Sequence, residues 1–218
     1  MTLKDELAKT LREVFAGVEE LPLQFNPVAA ENPYEKQVDS LQGLSESMRF
    51  CKDCSAHLGR EKLVFGIGHA KPKVLFLGDI PSRKDDEAGK PFSDEAGELL
   101  TKMIAAMGLR LEEVYLTNLL KCKPPTGQIA REEEALICLK YLEKQIELLQ
   151  PKLIVAFGEL PARTLARADI GLEKLRLQDH SFKGRKLFLT HHPRELLQAP
   201  DKKREAWNDL QKVMSHLK

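Results

Sequence analysis

The apolar positions of this chain fall into two kinds of pattern. KVLFLGD (73–79), VYLTN (114–118), KLIVAFG (152–158) and KLFLT (186–190) are short continuous apolar runs that stop at Gly, Asp, Asn or Thr. Runs of this length suit strands buried on both faces. Between them lie amphipathic stretches with helical punctuation. DEAGELLTKMIAAMG (94–108) opens on an acid and stops at Gly108. REEEALICLKYLEKQIELLQ (131–150) carries acids in its first turn and ends before Pro151. PARTLARA (161–168) opens on a proline, and DKKREAWNDLQKVMSHL (201–217) closes the chain. Strand alternating with helix predicts a parallel sheet of four strands with helices on both faces, an α/β fold.

The first part of the chain reads differently. Residues 2–18 have a helical period, 19–36 hold three prolines and no period, and 37–50 read as a helix leading into CKDC. We therefore divide the chain into an extension, 1–36, and one domain, 37–218. With 34 basic and 33 acidic residues the net charge is +1, which neither requires nor excludes nucleic acid. No apolar run nears the ~20 residues that span a bilayer. The N-terminus has neither the apolar segment of a signal peptide nor the acid-poor character of a transit peptide, so a cytoplasmic protein is expected.

In an open parallel sheet, ligands bind outside the carboxyl ends of the strands. Three of the loops there carry unusual chemistry. GDIPSRKDDEAGKPF (78–92) gathers Asp79, Asp85, Asp86 and Glu87 and finishes on Phe92. These are candidate carboxylates and a candidate stacking ring, or a polar turn whose Phe joins the core. TNLLKCKPPTG (117–127) offers Asn118, whose amide is both donor and acceptor or an ordinary turn cap; Lys121 and Lys123 are phosphate contacts or solvated charges. THHPRELLQAPDKKREAW (190–207) places His192 before a proline that favours extended backbone, followed by Arg194, Lys202, Lys203 and Arg204. The four cysteines, Cys51, Cys54, Cys122 and Cys138, include one CxxC pair. In a reducing compartment they suggest a metal centre or buried thiols rather than disulfides.

Together, GDIPSRKDDEAGKPFSDEAGELL, YLTNLLKCKPP, the acid-led helix with Cys138, LIVAFG and THHPRELLQAP resemble the iron–sulfur uracil-DNA glycosylases, called family 4. The resemblance runs in order from about Cys51 to the C-terminus. It implies a three-layer αβα fold with a central, mainly parallel four-stranded sheet, and a monomer that hydrolyses the bond between uracil and deoxyribose in single- or double-stranded DNA. It implies a [4Fe–4S] cluster on Cys51, Cys54, Cys122 and Cys138, although four thiolates also hold zinc. By the same likeness Phe92 stacks on the extruded base, Asn118 reads its edge, and His192 bonds the O2 oxyanion. Asp79 and Asp85 stand where the family usually has Glu; Asp85 is expected to handle the attacking water and Asp79 to shape the pocket floor. Ile80 lies beside that water, and Arg194 and Lys123 face DNA.

The chain also departs from the family pattern. Ile80, Ser82, PFSD, Arg194 and Leu177 replace residues that are commonly small or glycine. These changes leave open a member with shifted specificity, for example for deaminated purines, or a DNA-binding protein that keeps the cluster without catalysis.

Overall fold

The computed structural model describes residues 39–125 and 131–217. The expected helix at 2–18 and the linker at 19–36 lie outside these residues.

Six strands form one mixed sheet: β1 (Ile67–Gly68), β2 (Val74–Gly78), β3 (Val114–Asn118), β4 (Leu153–Phe157), β5 (His180–Phe182) and β6 (Arg185–Thr190). Their order is β1-β3-β2-β4-β6-β5. The central four, β3-β2-β4-β6, are the expected strands and run parallel. The expected count of four is corrected by an antiparallel strand on each edge. Both were invisible for the same reason, since they are two and three residues long and carry no buried apolar run. β5 and β6 form a hairpin whose turn residues, Lys183 and Gly184, have φ of 49° and 71°. Two residues in that region give a turn whose twist matches the strands.

The helices are α1 (Leu41–Met48), α2 (Arg83–Ala88), α3 (Glu95–Ala106), α4 (Glu132–Leu149), α5 (Glu159–Ala166), α6 (Leu172–Leu175), α7 (Pro193–Gln198) and α8 (Lys203–Ser215). α1 is shorter than the expected 37–50 because the Ser40 side chain accepts from Gly43 N and sets the start. α5 begins two residues before the expected 161, which puts Pro161 inside the first turn, where its missing N–H costs nothing.

Alternation along β2 divides the core. Leu75 and Leu77 pack with Leu139, Leu142 and Ile146 of α4, while Val74 and Phe76 pack with Leu100 and Ile104 of α3 and Leu210 and Val213 of α8. Each face of the sheet is thus covered by helices, and the carboxyl ends of β2, β3 and β6 open at one rim. β2 neighbours β3 on one side and β4 on the other, so the chain reverses its winding direction there, where α/β sheets leave a crevice.

Candidate active site and cysteine centre

The rim is built around Gly78. Parallel pairing of β2 with β3 sets Gly78 opposite Asn118. The ladder continues past the strand ends, with Leu119 N donating to Gly78 O (2.9 Å) and Leu120 N to Asp79 O (3.1 Å). A Cβ built on Gly78 would stand on Asn118 Oδ1, 2.9 Å from Phe92 Cζ and 3.4 Å from His192 Nε2. Three side chains far apart in the sequence therefore converge on a backbone position that has no side chain of its own.

Each is held by its surroundings. Phe92 has φ of 56°, an uncommon conformation for a bulky residue, and this bend brings its ring back over the β2 end. The rings of Phe92 and His192 are nearly parallel, with centroids 6.0 Å apart and planes at 19°. Both stand edge-on to Phe157 at the end of β4, at 6.4 and 6.3 Å. Asn118 is buried, and its Nδ2 has no hydrogen-bond partner among the described residues. A buried amide donor left unpaired is costly, so Nδ2 is available to an acceptor.

His192 is the N-cap of α7, and its Nδ1 accepts the Arg194 N–H at 3.1 Å. That bond leaves Nε2 as the protonated nitrogen of a neutral ring. Burial lowers the His192 pKa, and the nearby Asp79 charge offsets this only in part. Nε2 faces Asp79 Oδ1 at 3.4 Å. Asp79 also caps the turn through Ile80 N at 2.7 Å, and the Ile80 side chain packs against the hydrophobic core beside it.

Asp85 does not join this group. Its carboxylate accepts from Ser82 N (2.9 Å) and Ser93 N (2.6 Å), while Ser82 Oγ accepts from Asp85 N. This is a capping box that starts α2 and clasps the loop shut below Phe92. Both oxygens are committed to backbone, so the geometry gives Asp85 a scaffold position rather than one facing a water. Asp86, also buried, accepts from Glu61 N and Lys62 N and ties the cysteine segment to the same loop. Lys121, a candidate phosphate contact in the sequence, is instead fully buried; its Nζ donates to Thr117 Oγ1 (2.7 Å) and Asn118 O (2.5 Å). Burial pulls its pKa down to about 7. Lys123 donates to Pro124 O at 3.2 Å, beside Cys122, and Arg194 lies at the rim with its side chain 37% exposed.

Sequence reading missed two features of this rim. One is Gly78 itself. The other is His191, fully buried, with Nε2 3.0 Å from Glu205 Oε2 and Nδ1 3.4 Å from Glu195 Oε2. Arg176 and Lys202 complete this charge network, which fastens α6, α7 and α8 to the end of β6. A histidine beside another histidine gives no sequence signal for such a role.

The four cysteines line one recess with Met48, Leu63, Ile137 and Tyr141. Arg60 donates to Cys122 Sγ at 3.0 Å, and Tyr141 Oη lies 3.4 Å from Cys51 Sγ. Burial raises the thiol pKa of Cys54 and Cys122, and that of Cys138 to about 12. Such groups ionise readily only when a cation joins them. Among the described residues the one set of three or more His, Cys, Asp or Glu ligand atoms within 4.8 Å of one another is Glu173, His191 and Glu205. The sulfurs are thus spread wider than the shell of one zinc ion, whose ~2.3 Å bonds draw its ligands closer together.

The sequence profile of the uracil DNA glycosylase superfamily matches residues 65–211, from just before β1 into α8. The chain belongs to this superfamily. The type-4 uracil-DNA glycosylase of Archaeoglobus fulgidus is 33% identical over 184 residues, covering 81% of this chain and 92% of that protein. That of Pyrobaculum aerophilum is 36% identical over 179 residues, covering 78% and 91%. A type-5 uracil-DNA glycosylase of Thermus thermophilus is 29% identical over 124 residues, covering 50% of this chain. Among the described residues no helix is long and apolar enough to cross a membrane.

Proposed function

We propose that this protein is a uracil-DNA glycosylase that hydrolyses the N-glycosidic bond of uracil in DNA and leaves an abasic site for base excision repair. The observation that carries this is the buried, unpaired Nδ2 of Asn118 beside Phe92 and His192 over Gly78. Uracil presents O4 to that donor and N3–H to Oδ1. Cytosine presents the opposite polarity and would leave both partners unpaired, the kind of mismatch that rejects strongly.

The base reaches the slot out of the helical stack, and Phe92 covers its face. As the bond to the sugar lengthens, negative charge gathers on O2 and positive charge on the sugar. Neutral His192 donates from Nε2 to the first, at no cost of proton uptake, because Arg194 N–H holds Nδ1 as the acceptor. Asp79, facing the same nitrogen, supports the cationic sugar and orients the attacking water; Asp85 holds the loop that carries Phe92.

Cys51, Cys54, Cys122 and Cys138 hold a [4Fe–4S] cluster, to which thiolates and a mostly apolar recess are suited. Through these four thiolates a bound cluster would tie the segment before β1 to the loop that follows Asn118 and to α4. The protein works as a cytoplasmic monomer on single- or double-stranded DNA, with Arg194 and Lys123 at the nucleic-acid surface.

The test is incubation of the purified protein with oligonucleotides containing uracil, hypoxanthine or xanthine, then alkaline strand cleavage at abasic sites. Cleavage at uracil is expected, with His192→Ala slower by about 10²–10³, the usual effect of losing one oxyanion donor. Cleavage only at the purines, or binding with no cleavage, would overturn the assignment.

A further inference from the structure

Three charged side chains from three segments meet at the open side of the slot. Asp79 follows β2, Asp94 is the N-cap of α3, and Arg194 sits in the first turn of α7. Arg194 Nη1 lies 3.8 Å from Asp79 Oδ1, and Nη2 lies 3.7 Å from Asp94 Oδ2. Both contacts are of charge with charge, too long for hydrogen bonds. One guanidinium is therefore held loosely between two carboxylates, with part of its surface in water.

The arrangement around Asp94 shows what that residue does. Its Oδ1 accepts from Gly97 N at 3.3 Å and caps the helix, while Oδ2 is left facing the guanidinium. Its side chain is only 12% exposed, so its charge is poorly screened by water. The cap needs an oxygen and not a charge, because Asn and Ser cap as well as Asp. Beyond its favourable place at the helix dipole, the charge is thus free to act on Arg194. Asp79 Oδ1, in turn, faces both Arg194 and His192 Nε2. While Arg194 stays there, the carboxylate nearest the reacting sugar is partly neutralised.

We infer that Asp94 and Arg194 form an electrostatic latch: Asp94 keeps Arg194 beside Asp79 in the free protein, and a phosphate of the bound DNA draws the guanidinium away, unmasking Asp79. A phosphate can take two parallel N–H bonds from a guanidinium, which two carboxylates at 3.7 and 3.8 Å do not match. Asp94 and Arg194 are positioning residues in this scheme, since both act through Asp79. The inference rests on the slot being the uracil site only for its last step; the exchange of Arg194 between acid and phosphate does not.

The experiment is a double-mutant cycle of Asp94→Asn and Arg194→Ala in the full chain, with Asp94→Ser as a second charge-free cap. Binding is read by anisotropy on a single-stranded oligonucleotide lacking uracil, across a range of salt. Asp94→Asn and Asp94→Ser are expected to tighten binding about two- to fivefold, the range of a partly exposed ion pair. Arg194→Ala weakens binding and lowers the slope of log affinity against log salt by about 0.7, one single-strand phosphate contact. In the Arg194→Ala background Asp94→Asn has no effect. On a uracil-containing strand, Asp94→Asn lowers KM and leaves the single-turnover rate at saturation unchanged, because Arg194 has already moved in both proteins. Equal tightening in both backgrounds would mean that Asp94 simply repels DNA and would overturn the latch, as would no change in either. A protein that shows the coupling but excises nothing keeps the exchange and sinks the glycosylase assignment instead.

Discussion

Gly78→Ala tests the site with a single methyl group. The backbone there is not in the left-handed region, so alanine is conformationally allowed and the whole effect is steric. The new Cβ would lie 2.9 Å from Phe92 Cζ and closer still to Asn118 Oδ1. Relaxed carbon contacts are ~3.5–4.0 Å, so Phe92 retreats by roughly 0.6–1 Å and Asn118 by more. Overpacking of this kind costs about 1–3 kcal/mol of stability. For a chain of this size each kcal/mol lowers Tm by roughly 2–4 °C, which a thermal melt reads. The effect on chemistry is larger, since a misplacement of ~1 Å lowers rates ~10²-fold and both Phe92 and Asn118 move. Single-turnover cleavage of a labelled uracil oligonucleotide should therefore fall by at least ~10², while binding of a uracil-free strand stays as in the parent. Excision at the parental rate by a folded Gly78→Ala protein would show that no base enters between Phe92, Asn118 and His192.

Acidification gives a second check. Burial depresses the His192 pKa, so the ring stays neutral below the ordinary histidine value of ~6.5 and activity holds there, falling only as pH drops through the depressed value. An acid limb in kcat at or above that ordinary value, absent from His192→Ala, would contradict the neutral Nε2 donor. The two aspartates should separate cleanly: Asp79→Asn slows excision at unchanged Tm, whereas Asp85→Asn lowers Tm because an amide has one oxygen where the carboxylate accepts from both Ser82 N and Ser93 N, and an unpaired buried N–H costs about 1–3 kcal/mol. A melting temperature unaffected by Asp85→Asn would return Asp85 to the catalytic candidates. Cys138→Ser should give a protein without the brown colour and with well under about four irons per chain, measured by visible absorption and metal analysis; full iron content in that variant would remove Cys138 from the ligand set.

Much of the architecture could be read from the chain. Four buried apolar runs ending in Gly–Asp, Asn, Gly and Thr marked the parallel strands and hence the rim where chemistry sits. The two edge strands could not be read, because pairing along a sheet edge needs only backbone and leaves no apolar signature in two or three residues. The short helix α2 was hidden in an apparent loop, although the Ser82–Asp85 spacing of a capping box was present.

The candidate site divides in the same way. Residue types and their order along the chain marked Asp79, Asn118 and His192 as standing at or just after strand ends, because strand length and alternation place the loops. Only the folded chain decided between chemically identical candidates. Asp79 faces His192 while Asp85, six residues later, is turned inward to backbone N–H groups; Lys121 is buried and Lys123 is not. Side-chain direction depends on a φ such as that of Phe92, on register such as Gly78 opposite Asn118, and on charges brought from afar such as Arg194 and Asp94. Those are set by packing between segments, and no single segment contains them.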